Sequence, residues 1–229
     1  MIYVMSDIHG CYEEYLKLLE LINFSDEDTL YILGDVCDRG KEPMKILFHM
    51  MEHKNIIPLF GNHDLEAYPF LVLEYNGQLD LYERKFLWWM SQGGNTTLND
   101  FKSLTKKQQE QILSYIEEFR YYEELTVNNM DYVLVHGGLK DFDINKPLSK
   151  YKVRDLVWER PDYDMVYFPN KYIISGHTPT TLIDRSMRGK IIHLNNHILI
   201  DCGCVFGITL GCLCLNTMEE FYIDCSCIR

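Results

Sequence analysis

The chain has 229 residues, which is long enough for one sizeable hydrophobic core and short for two separate domains. Hydrophobic residues make up 47% and charged residues 24% of the sequence, and these proportions exclude a wholly disordered chain. The 34 acidic and 22 basic side chains give a formal net charge of −12, which argues against stable nucleic-acid binding, because affinity for the phosphate backbone comes from clustered Lys and Arg.

The N-terminal part of the chain alternates short apolar runs with segments of helical periodicity. We predict three strands and two intervening helices: strands at Tyr3–Met5, Leu30–Leu33 and Ile56–Phe60, and helices at Cys11–Ile22 and Pro43–His53. Because strands that alternate with helices form βαβ units, the three strands should be parallel. Pro58 lacks a backbone N–H, so the pairing of the third strand should be incomplete.

The middle of the chain, from residue 65 to residue 120, is mostly of helical periodicity, with breaks at Asn76-Gly77 and Ser91–Gly94. We predict that this segment is a helical cap inserted into a single domain that spans residues 1–229. A strand at Tyr132–Val135 and a polar loop from residue 140 to residue 170 follow. Further short strands are predicted at Tyr172–Ser175, Lys190–Leu194, Ile198–Asp201, Thr209–Leu215 and Phe221–Asp224.

No apolar run approaches the ~20 residues that a membrane-spanning helix needs. The first residues, Met1–Met5, are too few for the core of a signal peptide and continue directly into polar residues. We therefore expect a cytoplasmic protein without a membrane partner.

Six of the eight cysteines form three Cys-x-Cys pairs: Cys202/Cys204, Cys212/Cys214 and Cys225/Cys227. Residues two apart on a strand point to the same face, so we expect each pair on one side of a sheet. Free cysteine is a readily buried hydrophobe, and this favours core packing. A thiolate zinc site is the alternative, although metal knuckles place about two to four residues between their cysteines rather than one.

Polar residues cluster where five of the predicted strands end: Ser6–Gly10, Gly34–Gly40, Gly61–Asp64, His136–Gly138 and Gly176–Thr178. Ligands of open α/β sheets bind beyond the carboxyl ends of the strands, so these clusters should converge on one crevice. Their Asp, Asn and His side chains form a mixed oxygen and imidazole set that suits Mn, Fe or Zn better than Ca. Each short motif alone is weak evidence, whereas five at strand ends predict a metal centre.

This ordered set resembles the calcineurin-like metallophosphoesterase superfamily, and within it the phosphoprotein phosphatase group that includes small bacterial and phage serine/threonine phosphatases. The motifs span nearly the whole chain: Asp7-Ile8-His9-Gly10, Gly34-Asp35-(x₂)-Asp38-Arg39-Gly40, Gly61-Asn62-His63-Asp64, His136-Gly137-Gly138, Leu156-Val157-Trp158-Glu159-Arg160, Gly176-His177-Thr178 and Ile200-Asp201-Cys202-Gly203-Cys204. The resemblance implies an α/β (α+β) fold in which two mixed β-sheets pack as a sandwich flanked by helices, with a dinuclear metal centre at one sheet edge.

The resemblance assigns six side chains to two divalent metal ions, with one carboxylate shared by both: Asp7, His9 and Asp35 for the first ion, and Asp35, Asn62, His136 and His177 for the second. Mn²⁺ is the expected metal, with Fe or Zn as alternatives. Ions ~3.5–4 Å apart can share a water molecule and clamp a phosphoryl group. The bridging hydroxide formed from that water would attack phosphorus in line with the leaving oxygen.

His63 is the predicted general acid for the leaving oxygen, because it directly follows a metal ligand and is not itself expected to bind metal. Asp38 would fix the tautomer of His63 and raise its pKa. Arg39 and Arg160, together with Asn62, are the predicted phosphate-binding residues, since guanidinium forks bind phosphate oxygens bidentately and stabilise the charge that builds during transfer.

The remaining reactive side chains carry less specific signals. Four histidines are predicted to be structural or surface residues: His49, His53, His193 and His197. Cys37 is predicted to be either a packing residue or a site at which oxidants affect activity. The Ser91–Gly94 loop is expected to line the substrate groove. A surface salt bridge is the alternative role for Arg39, and Arg154 is the alternative to Arg160.

Three functions compete. The main prediction is a metal-dependent phosphatase acting on phosphoserine or phosphothreonine of proteins, and Asp38 favours it because symmetrical dinucleoside-tetraphosphate hydrolases commonly depart from Asp there. The alternative is a dinucleoside tetraphosphate hydrolase, favoured by Asp64, where protein phosphatases more often carry Glu. A catalytically silent scaffold would be marked by lost ligands, and every expected ligand is present. The expected partner is therefore a phosphoprotein or a nucleotide substrate.

Overall fold

Two five-stranded β-sheets form the framework of the protein in the computed structural model, which describes residues 1–225. The strands are β1 Ile2–Met5, β2 Thr29–Ile32, β3 Ile56–Pro58, β4 Tyr122–Val127, β5 Met130–Val135, β6 Lys171–Ser175, β7 Ile192–Leu194, β8 His197–Leu199, β9 Thr209–Cys214 and β10 Glu220–Asp224. The helices are α1 Tyr12–Leu21, α2 Pro43–Glu52, α3 Asn62–Tyr75, α4 Arg84–Trp89, α5 Asn95–Lys102, α6 Lys106–Ile116, α7 Val153–Val157 and α8 Thr180–Ile183.

Both sheets mix parallel and antiparallel pairs. The first has the order β10-β9-β1-β2-β3, in which β1, β2 and β3 are parallel and β9 runs antiparallel to β1 and β10. The second has the order β4-β5-β6-β8-β7, with β5, β6 and β8 parallel and an antiparallel strand at each edge. The predicted fold class, two mixed sheets flanked by helices, is confirmed.

Alternation along the central strands buries both faces of each sheet. In β1, Val4 belongs to an apolar cluster that also contains Leu134 and Ile174 of the second sheet, whereas its neighbours Tyr3 and Met5 belong to a larger cluster with the helices. Side chains of opposite parity point to opposite faces of a strand, so one parity fills the space between the sheets and the other packs under the helices. The two sheets are thereby held as one sandwich.

The predicted elements of the N-terminal half occur within one or two residues of their expected ends. Pro58 lies in β3, an edge strand that pairs only with β2, as its missing N–H requires. Strand β4 was not predicted. The break expected at Ser91–Gly94 is present as a kink between α4 and α5, within Met90–Gly94, where Gly93 has a non-helical φ of 102°.

Helices α3 to α6 occupy most of the segment predicted as a cap. Their side chains Trp89, Phe101 and Ile112 share the larger apolar cluster with Met5 and Ile32 of the first sheet. The helical segment is thus packed on the sheet through a common core. Its description as a cap inserted into one domain of residues 1–229 stays a prediction. No helix within residues 1–225 has the length and apolar composition to cross a membrane.

The Cys-x-Cys pairs differ from one another. Cys212 and Cys214 lie on β9 and pack into the same apolar cluster, as predicted. The prediction for Cys202/Cys204 was wrong, because these residues follow β8 in a turn and enter different clusters. Cys227 lies outside the described residues. The His/Asp groups described below contain no cysteine among residues 1–225, which favours core packing over a thiolate metal site.

Candidate metal centre and active site

The strand ends of both sheets meet in one place. Hydrogen bonds between loops join the ends of neighbouring strands, from Asp7 N–H to the Gly34 carbonyl (3.1 Å) and from Gly176 N–H to the His136 carbonyl (2.8 Å). Other bonds cross between the sheets: His177 N–H donates to Asp7 Oδ2 at 3.0 Å, and the His136 ring lies 2.6 Å from the Leu33 carbonyl. The convergence of the five motifs therefore follows from the pairing of strands and sheets.

The backbone at these loops is held in an uncommon conformation. Six of the predicted site residues have positive φ: Asp7 (52°), His9 (46°), Asp35 (54°), Asp38 (71°), Arg39 (68°) and His177 (66°). For an L-residue the left-handed region costs roughly 1–2 kcal/mol, and residues held there cluster at functional sites. Glycines make room beside them, since a Cβ on Gly176 would lie 2.1 Å from Asp7 Oδ2.

Two groups of possible metal-ligating atoms occur within residues 1–225, and Asp35 is common to both: His9, Asp35 and His63, and Asp35, His136 and His177. Asp35 Oδ2 lies 3.5 Å from His9 Nε2, and Asp35 Oδ1 lies 3.5 Å from His136 Nε2. One carboxylate thus presents a separate oxygen to each group, which is the arrangement a bridging ligand requires. Asn62 Oδ1 adds an oxygen 3.0 Å from His136 Nε2 and 2.8 Å from His177 Nδ1.

The two metal-ligand groups treat Asp7 and His63 differently from the predicted roles. Asp7, a predicted ligand, lies outside both groups, although its Oδ2 contacts the backbone of His177. His63, a predicted acid, lies in the first group. Its Nδ1–H donates to Asp38 Oδ2 at 2.8 Å, so Nε2 is the nitrogen directed toward the groups. The individual ligand and acid assignments stay predictions.

The electrostatics of the cluster fit divalent cations. Burial lowers the pKa of His9 well below its ordinary value and that of His177 to about 3, so both imidazoles are neutral and keep the lone pair that a metal needs. Burial raises the pKa of Asp35 well above its usual range, and the nearby Asp7 carboxylate raises it further. Burial and the Asp7 carboxylate raise the pKa of Asp201 in the same way. Crowded buried carboxylates beside neutral imidazoles form a donor set that cations stabilise.

The pKa of His63 is shifted in the opposite direction from that of His9. Burial alone would lower it, but the charge of Asp35 and the hydrogen bond to Asp38 outweigh burial, and the net pKa is raised. Arg39 donates from one guanidinium nitrogen to His63 Nε2 (2.8 Å) and from the other to His9 Nε2 (2.7 Å). Arg39 is partly buried and therefore belongs to this cluster, and no ion pair between Arg39 and a carboxylate occurs within residues 1–225.

A cavity of about 380 Å³ opens above the cluster. Its lining contains both polar and apolar residues: Asp35, Arg39, Asn62, His63, Gln92, Arg160, His177 and Thr181, and Trp158, Pro179, Leu182, Phe206 and Ile208. Arg160 lines this cavity and Arg154 does not. This position favours Arg160, whose role in phosphate binding stays a prediction. Gln92 brings the Ser91–Gly94 loop to the same cavity. A larger groove of about 740 Å³ along β3 and α6 contains none of the predicted site residues.

Comparison with known proteins identifies the family. The sequence model of the calcineurin-like phosphoesterases matches residues 1–210. The chain belongs to the calcineurin-like phosphoesterase family. It is therefore a metal-dependent phosphoesterase, and the predicted resemblance is confirmed. The family uses a dinuclear centre of divalent metals, and the structure contains His/Asp groups around Asp35 that are suited to hold metal ions.

Two relatives of this calcineurin-like phosphoesterase are bis(5'-nucleosyl)-tetraphosphatases PrpE [asymmetrical]. That of Halalkalibacterium halodurans is 25% identical, over 94% of this chain and 90% of the relative, and that of Bacillus velezensis is 28% identical, over 89% and 84%. Among solved structures, a candidate diadenosine tetraphosphatase aligns with a TM-score of 0.68 at 16% identity, over 98% of this chain and 93% of that one. At that identity the structural likeness shows the fold alone.

Asp64 has a structural role that the sequence did not indicate. Its buried carboxylate accepts four backbone N–H groups: Asp35 (2.7 Å), Val36 (3.0 Å), Cys37 (2.9 Å) and Gly61 (3.0 Å). Three of these donors belong to the loop that carries the shared Asp35. From its motif position, Asp64 was interpreted only as an indication of the substrate class. Its contacts show that it also supports the loop that carries Asp35.

Replacing Asp64 by alanine is expected to lower the free energy of unfolding by about 3–5 kcal/mol, because several buried N–H groups lose their acceptor. Chemical denaturation of the metal-free protein measures this change. Asp184→Ala is the matched control, since the exposed Asp184 carboxylate accepts, among residues 1–225, only from Ser186. This substitution should change the free energy by less than about 1 kcal/mol. Equal effects of the two substitutions would contradict the supporting role of Asp64.

The other reactive residues lie outside both metal-ligand groups within residues 1–225. His49 stacks on His53 with ring centroids 4.3 Å apart, and His193 pairs with Glu220 at the surface. His197 is buried, with its Nε2 2.8 Å from the Ser175 hydroxyl. Cys37 is buried as well, and burial raises the pKa of its thiol well above the usual value, which favours packing over sensitivity to oxidants.

Proposed function

We propose that this phosphoesterase hydrolyses dinucleoside tetraphosphates asymmetrically, giving a nucleoside triphosphate and a nucleoside monophosphate. The observation that carries the proposal is the cavity, which is lined by members of the metal-ligating groups, by two arginines and by apolar side chains. Two relatives that cover most of this chain bear the name of this activity. These relatives favour the alternative over protein phosphoserine or phosphothreonine, which was the main prediction. Asp38 argues only against the symmetrical type of hydrolase and is compatible with asymmetrical cleavage.

Exposed apolar side chains in the cavity support a nucleotide substrate. Leu182 is 69% and Phe206 50% exposed, and both line the cavity beside Trp158. Exposed aromatic and aliphatic side chains are the surfaces on which a nucleobase stacks, while arginines bind the attached phosphates. The guanidinium carbon of Arg39 lies 5.4 Å from the centre of the Phe206 ring. A phosphate-binding group and a surface for base stacking are therefore adjacent. A polyphosphate with a base at its end matches this combination of lining residues.

Two divalent ions, Mn²⁺ first and Fe or Zn as alternatives, would be held by six side chains: Asp7, His9, Asp35, Asn62, His136 and His177. When bound, they would activate a water molecule as the nucleophile and neutralise charge on the phosphate oxygens. The lone pair of His9 Nε2 serves either a metal or the Arg39 hydrogen bond, so Arg39 must turn away when the ion binds. A phosphate in the cavity gives the guanidinium a new acceptor.

The bond changes require one proton at the leaving oxygen. The oxygen of water joins phosphorus, the phosphorus–oxygen bond to the leaving phosphate breaks, and the leaving oxygen gains negative charge. His63 Nε2 donates a proton to that oxygen, while Asp38 holds Nδ1–H and stabilises the charged ring. Arg160 and Asn62 contact the phosphate that is attacked. A cytoplasmic location and action on nucleotides rather than nucleic acid complete the proposal.

Parallel assays of diadenosine tetraphosphate and a phosphothreonine peptide test the proposed substrate. With Mn²⁺ present, we expect kcat/KM for the dinucleotide to be at least about tenfold higher, and chromatography to show adenosine triphosphate and monophosphate in equal amounts. Chelation should abolish turnover, and re-addition of Mn²⁺, Fe²⁺ or Zn²⁺ should rank the metals. Faster release of phosphate from the peptide would restore the protein phosphatase as the function, and adenosine diphosphate as the product would reject asymmetrical cleavage.

A further inference from the structure

Asp38 is fully buried, and its carboxylate is held by donors from separate parts of the chain. Oδ2 accepts from His63 Nδ1 at 2.8 Å and from Trp89 Nε1 at 2.9 Å, and Oδ1 accepts from the Thr97 hydroxyl at 2.7 Å. The backbone N–H of Asp38 donates to the same Thr97 oxygen at 2.7 Å. Trp89 and Thr97 are fully buried too, and they stand 51 and 59 residues further along the chain.

The turn between Trp89 and Thr97 holds the arginine next to Asp38. Gly93 adopts a φ of 102°, and its carbonyl accepts the backbone N–H of Arg39 at 3.0 Å. Gly94 packs against the indole, where an added Cβ would lie 2.4 Å from a ring carbon of Trp89. The segment from Trp89 to Thr97 therefore fixes both Asp38 and Arg39, although it belongs to the helices and not to the strand ends.

We propose that Trp89 and Thr97 are positioning residues for phosphate-ester hydrolysis: their hydrogen bonds fix the Asp38 carboxylate, and Asp38 fixes the His63 imidazole with Nε2 toward the cavity. The inference rests on the proposed role of His63 as proton donor. A carboxylate held by three donors has one orientation, whereas the loss of a donor lets it rotate about its Cβ–Cγ bond and carry the imidazole with it.

Packing is the competing explanation for Trp89, because its ring stacks on Phe70 with centroids 5.2 Å apart and planes 10° apart. Trp89→Phe keeps an aromatic ring at that position and removes the N–H donor. Thr97→Val keeps the shape and removes the hydroxyl, and Thr97→Ser restores the hydroxyl while losing a methyl group. Trp88→Phe is the matched control, since Trp88 is an exposed indole on the neighbouring residue.

Two phosphate esters that differ in the basicity of the leaving oxygen, phenyl phosphate and p-nitrophenyl phosphate, separate positioning from packing. A misplaced acid slows the basic leaving group, whereas a distorted site slows both. With Mn²⁺ present, we expect Trp89→Phe and Thr97→Val to reduce kcat for phenyl phosphate about tenfold, with KM unchanged, and kcat for p-nitrophenyl phosphate less than about threefold. Thr97→Ser and Trp88→Phe should stay within about twofold of the unmodified protein.

The imidazole N–H proton of His63 provides a second readout that needs no turnover. Its low-field resonance in ¹⁵N-edited spectra is assigned by its loss in His63→Asn. We expect the resonance to weaken and move in Trp89→Phe and Thr97→Val, and to return in Thr97→Ser. Unchanged resonances in the first two variants, or equal losses of kcat for both esters, would overturn the proposal. If the unmodified protein cleaves neither ester, the imidazole resonance alone decides the positioning, and the role of His63 as proton donor is tested on diadenosine tetraphosphate.

Discussion

Replacing Asp35 by asparagine is expected to reduce kcat/KM for diadenosine tetraphosphate about 10³-fold or more. The two oxygens of Asp35 face His9 and His136 separately, so this side chain is the one that both metal-ligand groups share. Asparagine keeps one side-chain oxygen and replaces the other by an amide nitrogen, which can neither accept a hydrogen bond nor bind a metal ion. The variant should lose one ion or bind both weakly, and calorimetric titration with Mn²⁺ measures that loss directly.

Stability measurements distinguish this effect from unfolding. Burial raises the folded-state pKa of Asp35 above its unfolded value, so the carboxylate destabilises the metal-free fold increasingly as pH rises through the folded pKa. Asparagine removes that penalty. The metal-free variant should therefore unfold at the same temperature as the unmodified protein or higher at neutral pH, and Mn²⁺ should raise the midpoint less in the variant. Asp26→Asn, at the surface, is the control, and a variant with most of its activity would falsify the bridging role.

Substitution of His63 by asparagine is expected to lower kcat about 10²–10⁴-fold, the range for loss of a general acid, with a small change in KM. Asp38 holds the ring through Nδ1, and the carboxylates of Asp35 and Asp38 raise the pKa of His63 despite its burial, which favours the protonated form that a proton donor needs. Mn²⁺ affinity should change little, because the proposed ligands remain. Steady-state assays together with metal titration measure both quantities.

The histidine control is His193→Asn, which removes an exposed imidazole that pairs with Glu220 away from the cavity. We expect unchanged kcat in that variant. A large loss of Mn²⁺ affinity in His63→Asn would contradict the assignment of His63 as an acid and make it a ligand, since the geometry places it in the first group with His9 and Asp35. Retention of most of the activity would remove it from the reaction altogether.

Most strands could be predicted because their apolar runs are buried on both faces and end in turns. Strand β4 could not, since its sequence Tyr-Glu-Glu-Leu-Thr-Val mixes charges with apolar residues, as befits an edge strand that pairs only with β5. The Cys202/Cys204 pair was misplaced for a related reason. The spacing fits a strand, but Gly203 between them adopts a left-handed conformation and begins a turn.

The part of the candidate site that consists of residues in short sequence motifs could be predicted. Strand-end position brought together Asp35, Asn62, His136 and His177 without any knowledge of the sheet order. The supports of those residues could not be found in this way. Asp64 acts through backbone groups that carry no sequence signature, and the contact of Trp89 with Asp38 depends on how α4 packs against the strand ends.

The proposed ligands come from both sheets, and this links metal affinity to the order in which the chain folds. Asp35 and Asn62 are made early in synthesis, yet His136 and His177 follow the ends of β5 and β6 in the second sheet, much later in the chain. High-affinity metal binding therefore has to wait until the second sheet has docked on the first. Metal capture is in this sense the last step of maturation, and substitutions deep between the sheets, far from any ligand, should weaken it.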